Sequence, residues 1–323
     1  MDIQDLFERL RQHDRAALAR AITLTESRRP ADKGMAAELM RLCLPHTGHA
    51  LRIGITGIPG VGKSTLIDAL GLEMIGSGHR VAVLAVDPSS QRSGGSILGD
   101  KTRMERLAER PEAFIRPTPT SGDLGGLAAT TRSTMLICEA AGYDRLLIET
   151  VGVGQSELEV DILTDINVLL MIAGAGDGLQ GIKRGIMESA DLVVFTKADG
   201  EAEARAGTAA REMKNALALL PPRDSGRKAE ILLTSATTEK GIAELAERLE
   251  ELGVEAKSNG HLWKRRQEQA IHWLEKAITN TLVQDFRADA AVQQERQRLE
   301  EEVRAGTKTP AQAAEELLRI YKR

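Results

Sequence analysis

Apolar residues in the first part of the chain recur at steps of three and four: Leu6, Phe7, Leu10, Ala17, Leu18, Ala21 and Ile22, then Met35, Leu39, Leu42 and Cys43. That spacing gathers them on one face of a 3.6-residue helix, so helical segments are predicted up to Pro45-His46-Thr47-Gly48, where proline and glycine stop the pattern. Short, continuously apolar runs rich in β-branched residues follow at 51–56, 81–86, 146–148, 168–172, 192–195 and 231–233, separated by helix-patterned stretches. A strand covered on both faces has no reason to alternate, so these runs predict a mostly parallel sheet sheathed by helices, an α/β fold. Beyond about Leu262 the strand signal stops, and Ile271, Leu274, Ile278 and Leu282 mark one face of a long charged helix. Thr309-Pro310, after Gly306, reads as an N-cap with proline in the first turn of a last helix through Leu317, Leu318 and Tyr321. The expected organisation is an N-terminal helical extension (1–48), a central domain (49–255) and a C-terminal helical region (256–323).

Charge and composition narrow the function. The 323 residues hold 43 Lys and Arg against 47 Asp and Glu, a formal net charge of −4, which argues against a nucleic-acid protein needing a basic face. Aromatic residues make up only 2%, so stacking platforms for single strands are not expected. No apolar run reaches the length of a membrane span, and the acidic start Met1-Asp2-Ile3-Gln4-Asp5 does not resemble a secretory signal, so a cytoplasmic protein is expected. Cys43 and Cys138 stand far apart in helix-patterned segments and make no CxxC, which suits buried reduced thiols. His46 and His49 are three apart, but with no further ligand nearby they make a poor metal site.

The chemistry is concentrated at strand ends. Gly57-Ile58-Pro59-Gly60-Val61-Gly62-Lys63-Ser64, followed by Thr65, is a Walker A loop between the first apolar run and a helical stretch. Its glycines let successive N–H groups point inward at phosphates, Lys63 reaches the outer phosphates, and the Ser64 hydroxyl can ligate Mg2+. Thr196-Lys197-Ala198-Asp199, at the end of the fifth run, fits the guanine-reading pattern [NT]KxD. The Asp199 carboxylate can accept from guanine N1–H and the 2-amino group, whereas adenine would leave it unpaired, so GTP is expected over ATP. Lys197 would lay its stem along the base, and Ser235-Ala236, after the sixth run, would offer a backbone N–H to the base oxygen. Thr196 stands where asparagine is more frequent, with a shorter reach for bracing the phosphate loop.

Carboxylates end two strands near the phosphates: Asp87 in Asp87-Pro88-Ser89-Ser90, and Glu149 in Glu149-Thr150-Val151-Gly152, which stands where GTPases carry DxxG; Asp100 closes a glycine-rich segment. Mg2+ keeps several waters and takes one or two protein oxygens, so Ser64 is the expected direct ligand. Asp87 and Glu149 are then candidates for water-mediated contact or for orienting the attacking water. Two glycine-rich stretches, 151–157 and 174–183, suit loops ordered by a nucleotide or a partner.

The combination of Asp87-Pro88-Ser89-Ser90, GGSILGDKTRM at 94–104, CEAAGYD at 138–144, ETVGVGQSE at 149–157 and LQGIKRG at 179–185 closely resembles the MeaB/ArgK family of methylmalonyl-CoA mutase-associated GTPases. The resemblance is dense from about 51 to 252. It implies a P-loop GTPase of the SIMIBI class, a homodimer through its C-terminal helices, and a partner that is an adenosylcobalamin-dependent acyl-CoA mutase, whose cofactor loading it gates and which it protects. Carried onto this chain, it implies phosphate binding by 57–65, base binding by Lys197 and Asp199, and a magnesium environment of Ser64, Asp87, Asp100 and Glu149. Switches would lie at 155–157 and 178–183, with Lys183 a candidate for partner-dependent stimulation of hydrolysis. Cobalamin is expected on the mutase. Gly178, where an acidic residue is common, and Ser121-Gly122-Asp123-Leu124 depart from the family pattern. A nickel-insertion metallochaperone of the same class would need His and Cys ligands that this chain offers only scattered, and a small-molecule kinase would need an acceptor site and a base that no motif here supplies.

Overall fold

The computed structural model describes residues 2–27, 29–86, 104–118, 124–150, 160–174 and 184–322. Seven strands form one sheet: β1 (Leu51–Gly57), β2 (Val81–Val86), β3 (Ala113–Thr118), β4 (Arg145–Thr150), β5 (Ile166–Ile172), β6 (Leu192–Thr196) and β7 (Glu230–Leu233). All six pairings are parallel, in the order β3-β2-β4-β1-β5-β6-β7. Six of these strands are the apolar runs of the sequence, and β3 is additional. Its apolar part is only Ala113-Phe114-Ile115 before Arg116 and Pro117, and it lies at the sheet edge, where a residue without an N–H is tolerated.

The described residues also form twelve helices: α1 (Ile3–Arg11), α2 (Arg15–Glu26), α3 (Pro30–Cys43), α4 (Lys63–Gly76), α5 (Glu105–Ala108), α6 (Leu124–Ala140), α7 (Arg184–Ser189), α8 (Ala202–Ala218), α9 (Ile242–Ser258), α10 (His261–Ala288), α11 (Ala290–Arg304) and α12 (Pro310–Tyr321). One sheet face supplies Ile53, Ile55 and Leu147, packed with Leu66 and Leu70 of α4 and Leu249 of α9. On the other side α2 and α3 pack on α6. Asp2 and Asp14 cap α1 and α2, each accepting two backbone N–H groups. Cys43 and Cys138 are buried and free, as expected for reduced thiols.

Because β1 is flanked by β4 on one side and β5 on the other, the chain leaves β1 toward one half of the sheet and later crosses to build the other half. A crevice opens at such a reversal outside the carboxyl end of the strand, where Gly57 stands.

Two compact units are present, Met1–Gln269 and Ala270–Arg323. In the second, Asp289 caps α11 through Val292 N–H at 2.9 Å, and Thr309 and Gln312 form a reciprocal capping box at the start of α12. Leu299 and Ala313 are buried there, and Phe286 meets Tyr321 edge to face at 5.4 Å. The predicted stripe Ile271, Leu274, Ile278 and Leu282 is solvent-exposed. Among the described residues no helix is long and apolar enough to cross a membrane.

Candidate functional site

The backbone of β1 runs directly into the Walker A loop. At Gly57 (φ +149°) a Cβ would fall 2.8 Å from Leu170 O of β5, so only glycine lets the strand turn away while still paired. Lys63 opens α4 and folds back over the loop, its Nζ donating to Gly57 O at 2.7 Å and Ile58 O at 3.1 Å. Lys63 is almost entirely buried (8% exposed), which places its ammonium inside the loop at a helix N-terminus. Next to it, Ser64 Oγ donates to Glu149 Oε1 at 3.0 Å. Parallel pairing of β4 to β1, with Glu149 opposite Ile55, brings that buried carboxylate to the loop. Of the phosphate-end candidates, the structure therefore joins Lys63, Ser64 and Glu149; Asp87, Asp100 and Lys183 lie outside the described residues.

The second corner is built by β6 and β7. The buried Thr196 hydroxyl lies 2.6 Å from Val61 O and 3.2 Å from Met171 O. With one proton to give, it donates chiefly to the shorter partner, tying the [NT]KxD segment to the Walker A loop despite its short side chain. Lys197, in a left-handed conformation (φ +55°), crosses the loop and donates from Nζ to Gly60 O at 3.0 Å. Asp199 Oδ2 accepts from the Ser235 hydroxyl, which itself accepts from Thr238 N–H at 3.3 Å. Sequence reasoning valued Ser235-Ala236 for a backbone N–H and missed this hydroxyl. The two partners are 36 positions apart, and no local pattern signals the contact.

The Ser235 N–H is already bonded to Lys240 O at 2.9 Å, and Ala236 is the member of the pair that lines the adjoining cavity. That cavity, about 240 Å3, is bounded by Gly62, Thr65, Lys197, Asp199, Ala236 and Thr237. It joins the phosphate loop to the Asp199 corner, so a ligand spanning both would touch N–H donors at one end and a carboxylate at the other.

Elsewhere the described residues hold no cluster of three or more His, Cys, Asp or Glu suited to a metal ion. His46 instead packs against the Phe7 ring at 5.5 Å. Burial pushes the Cys43 thiol up to about 11 and raises Cys138 further, so neither carries reactive thiolate at neutral pH.

Comparison with known proteins adds identity to this geometry. A family model described as methylmalonyl Co-A mutase-associated GTPase MeaB matches residues 18–291. A probable GTPase of Mycobacterium tuberculosis is 50% identical over 318 residues, covering 98% of this chain and 95% of the relative. The mitochondrial methylmalonic aciduria type A homolog of Mus musculus is 41% identical over 330 residues, covering 99% and 80%. Among solved structures, a LAO/AO transport system kinase superposes with a TM-score of 0.75 at 35% identity, covering 99% of this chain and 98% of that one. With its parallel sheet, Walker A loop and a family match over most of its length, the chain is a P-loop GTPase that belongs to the MeaB family.

Proposed function

We propose that this GTPase is a chaperone of an adenosylcobalamin-dependent acyl-CoA mutase, using GTP binding and hydrolysis to gate cofactor loading and to protect the mutase. The observation that carries the reading is the union of two corners in one cavity, a Walker A loop and an Asp199–Ser235 pair, in a chain of the MeaB family. In this reading the loop N–H groups of 57–65 grip the phosphates and Lys63 offsets their charge. Asp199 accepts from guanine N1–H and the 2-amino group, the Lys197 stem covers the base, and the Ala236 N–H meets the base oxygen. Ser235 keeps Asp199 oriented, so the carboxylate costs little reorganisation when the base arrives.

The phosphate end fits Mg2+. Two hard oxygen donors, Ser64 Oγ and Glu149 Oε1, stand 3.0 Å apart at the start of α4, a small set of the kind a heavily hydrated ion uses. Ser64 would be the direct ligand, and Glu149 would hold a bound water or orient the attacking one. Asp87 and Asp100 belong to the same environment by the family pattern. When bound, Mg2+ neutralises charge developing on the phosphate oxygens. Lys183 is proposed as the residue through which a partner stimulates hydrolysis.

The exposed stripe Ile271, Leu274, Ile278 and Leu282, between 45% and 62% accessible, supports a homodimer, because a contiguous apolar helix face in water favours a second copy. The cytoplasm is the proposed compartment.

The test uses purified protein and candidate acyl-CoA mutases in the presence of GTP, GDP or a non-hydrolysable analogue. Binding in one nucleotide state, with faster GTP turnover, is the expected result. Failure of every mutase to bind in either state would overturn the partnership while leaving the GTPase assignment intact. Because the solved relative is called a kinase, radiolabelled γ-phosphate should also be followed. Label on a small metabolite instead of in free phosphate would favour transfer over hydrolysis.

A further inference from the structure

Residues 160–165 lead into β5 at the end of the sheet opposite Gly57. They form a turn in which Leu163 N–H and Thr164 N–H donate to Val160 O at 2.9 and 3.1 Å. One side of this turn rests on β1 at Gly54, three residues before Gly57. A Cβ at Gly54 would lie 2.4 Å from Val160 Cγ1, 2.8 Å from Asn167 Oδ1 and 3.2 Å from Thr164 Cγ2. The strand that carries the phosphate loop therefore has no side chain where the turn must touch it.

The other side is tied to the first turns of α10. Arg265 donates from Nη2 to Asp161 O at 2.8 Å and Asp161 Oδ1 at 2.7 Å, and from Nε to Thr164 O at 3.0 Å. One helical turn on, Gln269 Nε2 reaches Thr164 O at 2.8 Å and Asp161 O at 3.3 Å. Arg266 bonds both oxygens of Asp165, at 2.8 and 2.6 Å, and that carboxylate accepts the Arg52 N–H of β1 at 2.9 Å. Gln269, 8% exposed, and the Asp165 side chain, 0%, are buried, while Arg265 and Asp161 are partly buried. Apolar side chains of similar volume would hold a helix down at least as firmly, whereas forked donors on two carbonyls fix register.

We propose that Arg265, supported by Gln269, is a positioning residue for GTP hydrolysis: the start of α10 sets where the 160–164 turn rests on Gly54, and Gly54 sets the course of β1 into the phosphate loop. By linkage, whatever alters the start of α10 is felt at the phosphates, and nucleotide occupancy is felt at α10. The inference rests on the GTPase activity but not on the identity of any partner.

The experiment measures steady-state GTP turnover of the full-length protein carrying Arg265→Ala, Gly54→Ala or both, with folding checked by circular dichroism. Each single variant should lower kcat by about tenfold or more, since small misplacements at a reacting centre are amplified, while discrimination between GTP and xanthosine triphosphate stays unchanged. The double variant should be no worse than the weaker single, because both act on one contact, and Arg265→Lys should recover part of the rate. An unchanged kcat in folded Arg265→Ala, or effects of the two substitutions that multiply, would overturn the proposal. If Arg265→Ala does not fold, Gln269→Leu removes only the neutral donor, and a wild-type kcat in that folded variant overturns it equally. Absence of GTP turnover in the unsubstituted protein would instead strike at the GTPase assignment.

Discussion

Replacing Thr196 by valine removes one oxygen at almost constant volume and isolates the brace between the guanine-reading segment and the phosphate loop. Thr196 is 5% exposed, and its hydroxyl lies 2.6 Å from the carbonyl oxygen of Val61, a fully buried residue. Loss of the bond alone costs about 0.5–1.5 kcal/mol net, and leaving a buried acceptor without its donor raises this to about 1–3 kcal/mol. Met171 O, at 3.2 Å, loses a weaker partner and adds little. If the cost falls on the folded protein at large, urea unfolding will report the full loss. If the loop instead relaxes until nucleotide reorders it, stability will hardly move and affinity for both GDP and GTP will fall, by roughly tenfold for each 1.4 kcal/mol. Urea denaturation with and without Mg-GDP, alongside calorimetric GDP titration, separates these cases, and Thr196→Ser should restore most of either loss. A Thr196→Val protein with wild-type stability and wild-type GDP affinity would refute the brace.

Four further outcomes follow from the geometry. Lys63→Ala removes the buried ammonium inside the loop and should reduce GTP turnover by about a hundredfold or more, measured by phosphate release. Asp199→Asn turns one acceptor into a donor, so competition binding should show the preference for GTP over xanthosine triphosphate lost or reversed. Both thiols are buried with raised pKa, so at pH 8 a disulfide reagent such as Ellman's should label neither Cys43 nor Cys138 in the folded protein and both in guanidinium. Arg248 forks onto Glu230 at 2.8 and 2.6 Å and holds its carboxyl below the ordinary glutamate range. The bond therefore contributes stability above the unfolded-state value that is lost as pH falls through the lower folded value, and Glu230→Gln should flatten the decline in urea midpoint between about pH 5 and 3.

The parallel sheet was legible because its five inner strands are largely buried and leave apolar runs, and half-buried β7 at one edge still presents Ile231-Leu232-Leu233 without a polar break. β3, at the opposite edge, was not, since its apolar part is only Ala113-Phe114-Ile115 before Arg116 and Pro117. The Walker A loop and Thr196-Lys197-Ala198-Asp199 were readable for a different reason: their residues do chemistry as contiguous backbone, so spacing along the chain is spacing in space. The contacts that tune them were not readable. Ser235 to Asp199, Thr196 to Val61, Glu149 to Ser64 and Arg265 to Asp161 span 36, 135, 85 and 104 positions, and each depends on register that the chain acquires only after the sheet forms. The N-terminal helices were read correctly as helices, but nothing in their periodicity revealed that α2 and α3 would pack on α6.

The chain has two tryptophans, and both lie on α10, Trp263 half exposed beneath the Arg266 guanidinium and Trp273 buried at 5%. With excitation beyond the tyrosine absorption band, its intrinsic emission therefore originates wholly from that one helix, because the two tyrosines, Tyr143 and Tyr321, lie elsewhere, and the cavity at the phosphate loop is lined by no tryptophan or tyrosine. An unlabelled sample reports on α10 alone, through one indole open to a dissolved quencher and one shielded from it, so any nucleotide-dependent change in quenching is a signal that has travelled.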